Sequence, residues 1–285
     1  DKGLLHPLTH TLDLSGACFC IAQIAEYVGD TKTYKEMMEF SENWKNTYDD
    51  TGLLGESNYY EGGLWNYSFR LLHNMEDRIA LSKGHFIEQL DRFFGYGAPP
   101  VKQPGDTTDS NYMDYMKWGF SLNRFEGFNN EPDMETPYAY IYGGRHDRTA
   151  EVVRAGMKYM FTTGRGGLPG NDDSGGLSSC CVWNLLGLFP VTGQPVMLIG
   201  SPAFDEISLK INNTNFKIRA INNSDINIYV KSASLNGLKL ERAYITVEEL
   251  LAGGELILNM SPTPANWGRG ERPPSFKSSN SYGNS

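Results

Sequence analysis

The period of the apolar residues changes partway along the chain, which confines the fold to two architectures in succession. Before Pro195, apolar side chains recur three and four residues apart. Cys18, Ile21, Ala22, Ala25 and Val28 fall on one helical face that ends near Gly29. Phe86, Leu90, Phe93 and Phe94 form a second stripe closed by Gly95. Val152, Val153, Gly156, Met157 and Met160 form a third, with Thr149 placed to cap it, and a fourth helix is expected over 177–188. After Pro195 the alternation is that of strands: Ile207, Leu209 and Ile211, then Ile226, Ile228 and Val230, then Leu256, Leu258 and Met260, with Asn-rich turns between them. The expected class is mainly α with a β-rich C-terminal part. Helical hairpins with long glycine-rich loops suggest an α/α barrel, although the periodicity also permits a bundle. The boundaries fall at 1–197 for the helical domain and 198–266 for a small antiparallel β unit. A tail over 267–285, poor in apolar anchors, is expected to be flexible.

With 285 residues the chain can bury a sizeable core. Its formal charge of −9 argues against a nucleic-acid partner, which calls for a basic face, and suits either a metal site or a solvated acidic surface. No apolar run long enough to span a bilayer and no signal-peptide pattern is read in the sequence, which opens at Asp1 without a methionine and is expected to be a processed or partial product. Cys18 and Cys20, and Cys180 and Cys181, lack zinc-ligand spacing and read as small buried apolar residues, with a long-range disulfide left open. Asn-x-Ser/Thr sequons at Asn66, Asn212, Asn222 and Asn259 are too common by chance to fix a compartment.

Three loop segments carry residues that packing does not require. In Tyr59-Tyr60-Glu61-Gly62-Gly63-Leu64-Trp65-Asn66-Tyr67 a carboxyl group sits among aromatics. A partly desolvated setting of that kind raises a carboxyl pKa and suits a general acid; the bland reading is a turn with a surface Glu. Phe125-Glu126-Gly127-Phe128-Asn129-Asn130-Glu131-Pro132-Asp133 offers hard oxygen ligands of the kind calcium prefers, though acidic loops are common. Gly167-Leu168-Pro169-Gly170-Asn171-Asp172-Asp173-Ser174-Gly175-Gly176-Leu177-Ser178 puts adjacent aspartates before an apolar helix, whose N-terminus favours the ionised carboxylate of a general base. An N-cap cluster or a calcium loop would look similar. One protonated and one ionised carboxyl group are what glycoside hydrolysis needs, and other hydrolases need the same parts.

Taken in order, these segments resemble glycoside hydrolase family 92, the calcium-dependent exo-α-mannosidases. The likeness runs to about Gly268 and includes Glu61-Gly62-Gly63-Leu64-Trp65-Asn66-Tyr67, Gly127-Phe128-Asn129-Asn130-Glu131-Pro132 and Leu168-Pro169-Gly170-Asn171-Asp172-Asp173-Ser174-Gly175. It continues through Leu186-Gly187-Leu188-Phe189-Pro190-Val191, Ile199-Gly200-Ser201-Pro202-Ala203-Phe204, Ser234-Leu235-Asn236-Gly237, Tyr244-Ile245-Thr246 and Gly253-Gly254. The resemblance implies an N-terminal β-sandwich followed by an (α/α)6 barrel. This chain would start inside the helical domain, without the β-sandwich region that helps wall the pocket.

The resemblance also implies the chemistry. Glu61 falls at the general acid, Asp173 at the general base, and Asp172 at a neighbouring carboxylate that assists or orients water. Asn130 and Glu131 match the segment associated with Ca2+, which binds mannose hydroxyls and favours a distorted ring. Trp65 and His73 fall among substrate-contacting positions, although His73 also reads as a satisfied core histidine. The implied substrate is a mannose-containing glycan and the implied location secreted or periplasmic. An inverting pair is expected to hold its carboxyl groups about 6.5–9.5 Å apart. His73-Asn74 replaces a more usual His-Asp, Cys18-Phe19 an Asp-Trp, and Met134-Glu135 more polar residues, which leaves linkage and leaving-group preference open. The competing readings are a mannosyl-phosphodiester glycosidase, a non-catalytic carbohydrate-binding fragment and a structural calcium-binding domain.

Overall fold

The computed structural model describes residues 3–96 and 128–277. They belong to two compact units, one formed by Asp1–Phe86, Thr192–Gln194 and Pro274–Ser285, the other by Ile87–Val191 and Pro195–Pro273. A helical part precedes a β-rich part, and within neither unit do the described helices close into a barrel. No described helix is long and apolar enough to cross a membrane.

In the first unit, α1 (Leu8–Tyr27) packs on α2 (Thr31–Ser41). Gly29, at φ +79°, turns the chain between them. Asp30 caps α2 by accepting from Thr33 N at 3.0 Å and Thr33 Oγ1 at 2.6 Å, bonds that hold its carboxyl below the usual range. Phe19 and Ala22 meet Met38 in the core. The expected α1 face is corrected in part: Cys18, Ala22 and Ala25 are buried, but Ile21 and Val28 are 45% and 68% exposed. The buried side of α1 includes Thr11 and Ser15, so polarity and burial part company on this helix.

The rest of the unit is knit by a buried cation. Arg78, on α4 (Met75–Leu81), donates through Nε and Nη2 to Ser68 O at 3.1 and 2.7 Å and through Nη1 to Ser82 Oγ at 2.9 Å. Its guanidinium lies 4.3 Å from the Tyr48 ring centroid. Ser68 ends α3 (Leu64–Ser68), so Arg78 fixes the helix that follows the Glu61 loop.

The second unit holds α5 (Phe86–Phe93) from Ile87 on, α6 (Thr136–Tyr142), α7 (His146–Tyr159) and α8 (Gly176–Leu186). Thr149 does not cap α7; it lies inside the helix, where its Oγ1 donates to Pro137 O at 2.8 Å and ties α7 to α6. Gly187, at φ +72°, ends α8, and Leu188 already belongs to a strand. Strands β1 (Leu188–Pro190), β2 (Val196–Ile199) and β7 (Tyr244–Thr246) form one sheet.

The larger sheet has the order β3-β4-β8-β5-β6, from Glu206–Ile211, Thr214–Ile221, Gly254–Ser261, Tyr229–Leu235 and Leu238–Leu240. It is mixed, which corrects the expected antiparallel unit: β4 and β8 run parallel, with Ile218 beside Leu256 and Ala220 beside Leu258. A parallel pair needs a long crossover, which the chain supplies through β5, β6, β7 and α9 (Val247–Ala252). Phe216, Ile218, Leu256, Leu258, Met260 and Val230 are buried, whereas Ile226 precedes β5 and is exposed.

Within the expected tail, Trp267 is buried and its Nε1 donates to Leu240 O at 2.6 Å. Further on, Phe276 N donates to His73 O at 2.8 Å. Residues 278–285 of the tail lie outside those described. All four cysteines are free, with Cys18 and Cys180 buried and Cys20 and Cys181 half-buried.

Candidate functional site

In the first unit the Glu61 turn is shaped by its neighbours' main-chain needs. Asn66 Oδ1 accepts from Gly63 N at 2.7 Å and starts α3, while a Cβ at Gly62 would lie 3.0 Å from Asn66 Cγ. Tyr59 Oη donates to Gly55 O and Tyr67 Oη to Tyr60 O, with the Tyr59 and Tyr67 rings stacked at 5.7 Å. Burial pushes the Tyr59 hydroxyl up to about 12. Glu61 itself takes a left-handed φ of +55° and is exposed, as is Tyr60 at 72%. Among the described residues of this unit the Tyr59 and Tyr67 rings stack on each other and Glu61 is exposed, in place of the desolvated setting expected for it. Asn66 is buried, so its sequon is spent on the α3 cap.

Trp65 is half-buried, its ring 6.0 Å from Phe69. His73 lies in the core, stacked on Phe19 with ring centroids 4.6 Å apart, and among the described residues its Nε2 has no hydrogen-bond partner. Burial lowers its pKa to about 4. That environment is the core-histidine one.

In the second unit two loops interlock. Asn130, in extended backbone, caps the 3-10 turn Glu131–Asp133 by accepting from Glu131 N at 2.9 Å. The preceding Phe128, at φ +69°, is fully buried, and a Cβ at Gly156 would come within 2.2 Å of its ring. Phe125, Glu126 and Gly127 lie outside the described residues. The aspartate loop rests on this segment at two points. A Cβ at Gly170 would stand 2.0 Å from Asn129 O, and one at Gly176 would stand 3.0 Å from Glu131 Oε1. Glycine at both positions is what lets the loops close on each other.

The two aspartates differ. Asp172 Oδ1 accepts from Ser178 N at 2.9 Å and Oδ2 from Ser178 Oγ at 2.6 Å, bonds that hold its carboxyl below the usual range. Asp173 opens the 3-10 turn Asp173–Gly175 and is exposed. Thus Asn130, Glu131, Asp172 and Asp173 share one unit, whereas Glu61, Trp65 and His73 belong to the other. Sequence reasoning missed Asn129 and Ser178, although both sit inside the segments it singled out.

Among the described residues, no hydrogen-bond partner meets the buried Asn129 Oδ1 or Glu131 Oε1. Uncompensated buried oxygens of this kind are costly unless a cation or donor meets them. Hard oxygens from a carboxylate and amides are the donor set calcium takes, so the residues fit that ion. Among the described residues no group of three or more His, Cys, Asp or Glu could hold a metal. A cation here would rely on amide and main-chain oxygens beside Glu131.

The family model of the glycosyl hydrolase family 92 catalytic domain matches residues 3–262. The chain belongs to glycosyl hydrolase family 92. A family 92 inverting mannosidase from Bacteroides thetaiotaomicron superposes with a TM-score of 0.81 at 26% identity, over 91% of this chain and 38% of that one. An α-mannosidase of the same family and organism gives 0.78 at 23% identity, over 95% and 38%. An uncharacterized secreted glycosidase of Arthroderma benhamiae is 26% identical over 94% of this chain and 38% of its own length. The chain thus spans about 38% of the length of each of these three relatives.

Proposed function

We propose that this family 92 chain forms part of the catalytic region of an exo-α-mannosidase that removes terminal mannose from glycans with inversion. In the whole enzyme a further β-sandwich region and the rest of an (α/α)6 barrel wall the pocket, and the enzyme is secreted. The observation that carries the reading is the packing of Gly176 against the Glu131 carboxylate, which sets an oxygen-rich segment beside the Asp172–Asp173 turn.

In the proposed reaction Glu61 protonates the glycosidic oxygen as it leaves. Glu61 is exposed in this unit, and a wall supplied from elsewhere in the enzyme would complete its surroundings. Asp173 takes the proton of the water that attacks the opposite face of the anomeric carbon, giving inverted product. Asp172, fixed by Ser178, orders the turn that presents Asp173. Trp65 offers an aromatic face to the sugar. Asn130 and Glu131, with Asn129 beside them, would hold Ca2+, which supplies positive charge for sugar hydroxyls. His73 is left to the core of its unit.

The test is incubation of the full-length protein carrying this chain with linkage-defined α-mannobioses, with and without a chelator, following the anomeric proton by NMR. The reading expects β-mannose as first product and loss of turnover on chelation, reversed by calcium. First-formed α-mannose would refute the inverting mechanism, and turnover untouched by chelator would remove calcium from it.

A further inference from the structure

The Asp173 turn carries an unusual backbone. Ser174 has φ +52° and Gly175 φ +75°, two consecutive residues in the left-handed region, and only the second is a glycine. Such a turn persists where its surroundings over-determine it. Here the restraint comes from both ends. Gly175 N donates to Asp172 O at 3.0 Å, and Ser179 Oγ donates to Gly175 O at 2.5 Å. The Asp172 carboxylate then spans the whole turn, one oxygen on Ser178 N and the other on Ser178 Oγ. Each Asp172 oxygen is thereby engaged by a donor on the first turns of α8, which is anchored by buried Leu177 and Cys180.

We propose that Ser178 is a positioning residue for the general base: by pinning Asp172 across the turn it fixes where Asp173 presents its carboxylate, and it confines Asp172 to a structural part. This rests on the reading of Asp173 as base. It goes further by dividing two adjacent aspartates into one that reacts and one that holds. The division follows from donor geometry, since a carboxylate with each oxygen already accepting a local bond is less disposed to take a proton from water, whereas Asp173 lies exposed at the head of the turn.

The experiment compares Ser178→Ala, Ser178→Thr, Asp172→Asn and Asp173→Asn in the full-length protein, with kcat and KM measured separately on an α-mannobiose. Misplacing a reacting group by about 1 Å costs on the order of a hundredfold, and a general base contributes roughly 10²–10⁴. Ser178→Ala is expected to lower kcat roughly tenfold to a hundredfold with KM little changed, and Ser178→Thr, which keeps the hydroxyl, to recover most of it. Asp172→Asn retains an oxygen for Ser178 N and an amide donor for Ser178 Oγ, so its loss stays under about tenfold while Asp173→Asn loses roughly a thousandfold. A Ser178→Ala enzyme with wild-type kcat overturns the proposal. So does an Asp172→Asn enzyme as inactive as Asp173→Asn, which also answers the question should Ser178→Ala not fold. A wild-type protein without turnover on any mannobiose would instead sink the glycosidase reading beneath it, and circular dichroism separates either case from misfolding.

Discussion

The Glu131 carboxylate occupies space that a side chain at Gly176 would need. A Cβ there would stand 3.0 Å from Oε1 and 3.4 Å from Cγ, with the Met134 methyl at 3.1 Å. Gly176 itself has an ordinary helical backbone, φ −61°, so alanine is conformationally acceptable. Alanine gains about 1 kcal/mol of helix propensity at an interior position and less at a first turn. The two effects therefore have opposite signs. Gly176→Ala is expected to leave the melting temperature in chelator unchanged or slightly raised, while weakening calcium binding roughly tenfold, about 1.4 kcal/mol. Calorimetric titration with Ca2+ reads the second effect, and an unaltered affinity would separate Glu131 from the cation.

Acid should weaken the fold through its buried histidines. Burial lowers His73 and His146 to about 4, against about 6.5 in the unfolded chain. Between those values the unfolded state binds protons that the folded state refuses. Their contribution is thus whole above pH 6.5 and is lost as the pH falls toward 4, by up to about 3 kcal/mol for each. His73→Phe keeps a ring on Phe19 and removes the titrating group, so urea midpoints of this variant should fall less steeply between pH 6.5 and 4 than those of the wild type. An unchanged stability profile together with a raised KM would move His73 to the sugar.

Much of this was legible in the sequence because short-range rules decided it. The Phe86–Phe94 stripe, Gly95 and the alternation of Leu256, Leu258 and Met260 needed no partner to be read: Phe86, Leu90, Phe94 and all three strand residues are buried, Phe93 is half-buried, and Gly95 turns the chain. The failures have tertiary causes. Thr149 resembles a cap by its neighbours, yet Pro137 O claims its hydroxyl from another helix. Ile21 and Val28 are apolar on the open side of α1 because Thr11 and Ser15 take the inner side. The parallel pairing of β4 with β8 depends on strands distant in sequence, which alternation cannot specify. At the candidate site, the oxygen-rich segment was visible by residue type. That Gly170 and Gly176 seat it against the aspartates was not, since glycine announces only that space is wanted.

Arg78 makes a prediction about charge burial. It is wholly buried, and among the described residues no carboxylate accepts from it; its fork donates to Ser68 O and Ser82 Oγ over the Tyr48 ring. Burial lowers its pKa. Lysine keeps a charge but cannot reach two acceptors in one plane or stack as guanidinium does. Arg78→Lys is expected to lose about 2–3 kcal/mol, a shift of the denaturant midpoint without change in its slope. Because Ser68 ends the helix after the Glu61 turn, any folded Arg78→Lys enzyme should also lose kcat.

Glu61→Gln tests the acid directly. The glutamine fills the same volume at an exposed turn, so stability should stay within about 0.5 kcal/mol of the wild type. Its cost then depends on how much the leaving group needs a proton. For an α-mannobiose, whose sugar alkoxide leaves poorly, turnover should fall roughly 10²–10⁴-fold. For an aryl mannoside with an acidic phenol the fall should be small, and a mannosyl phosphodiester should behave like the aryl substrate. A plot of log kcat against leaving-group pKa would therefore be shallow in the wild type and steep in Glu61→Gln. Equal slopes, or near-normal mannobiose turnover by Glu61→Gln, would take the acid role away from Glu61.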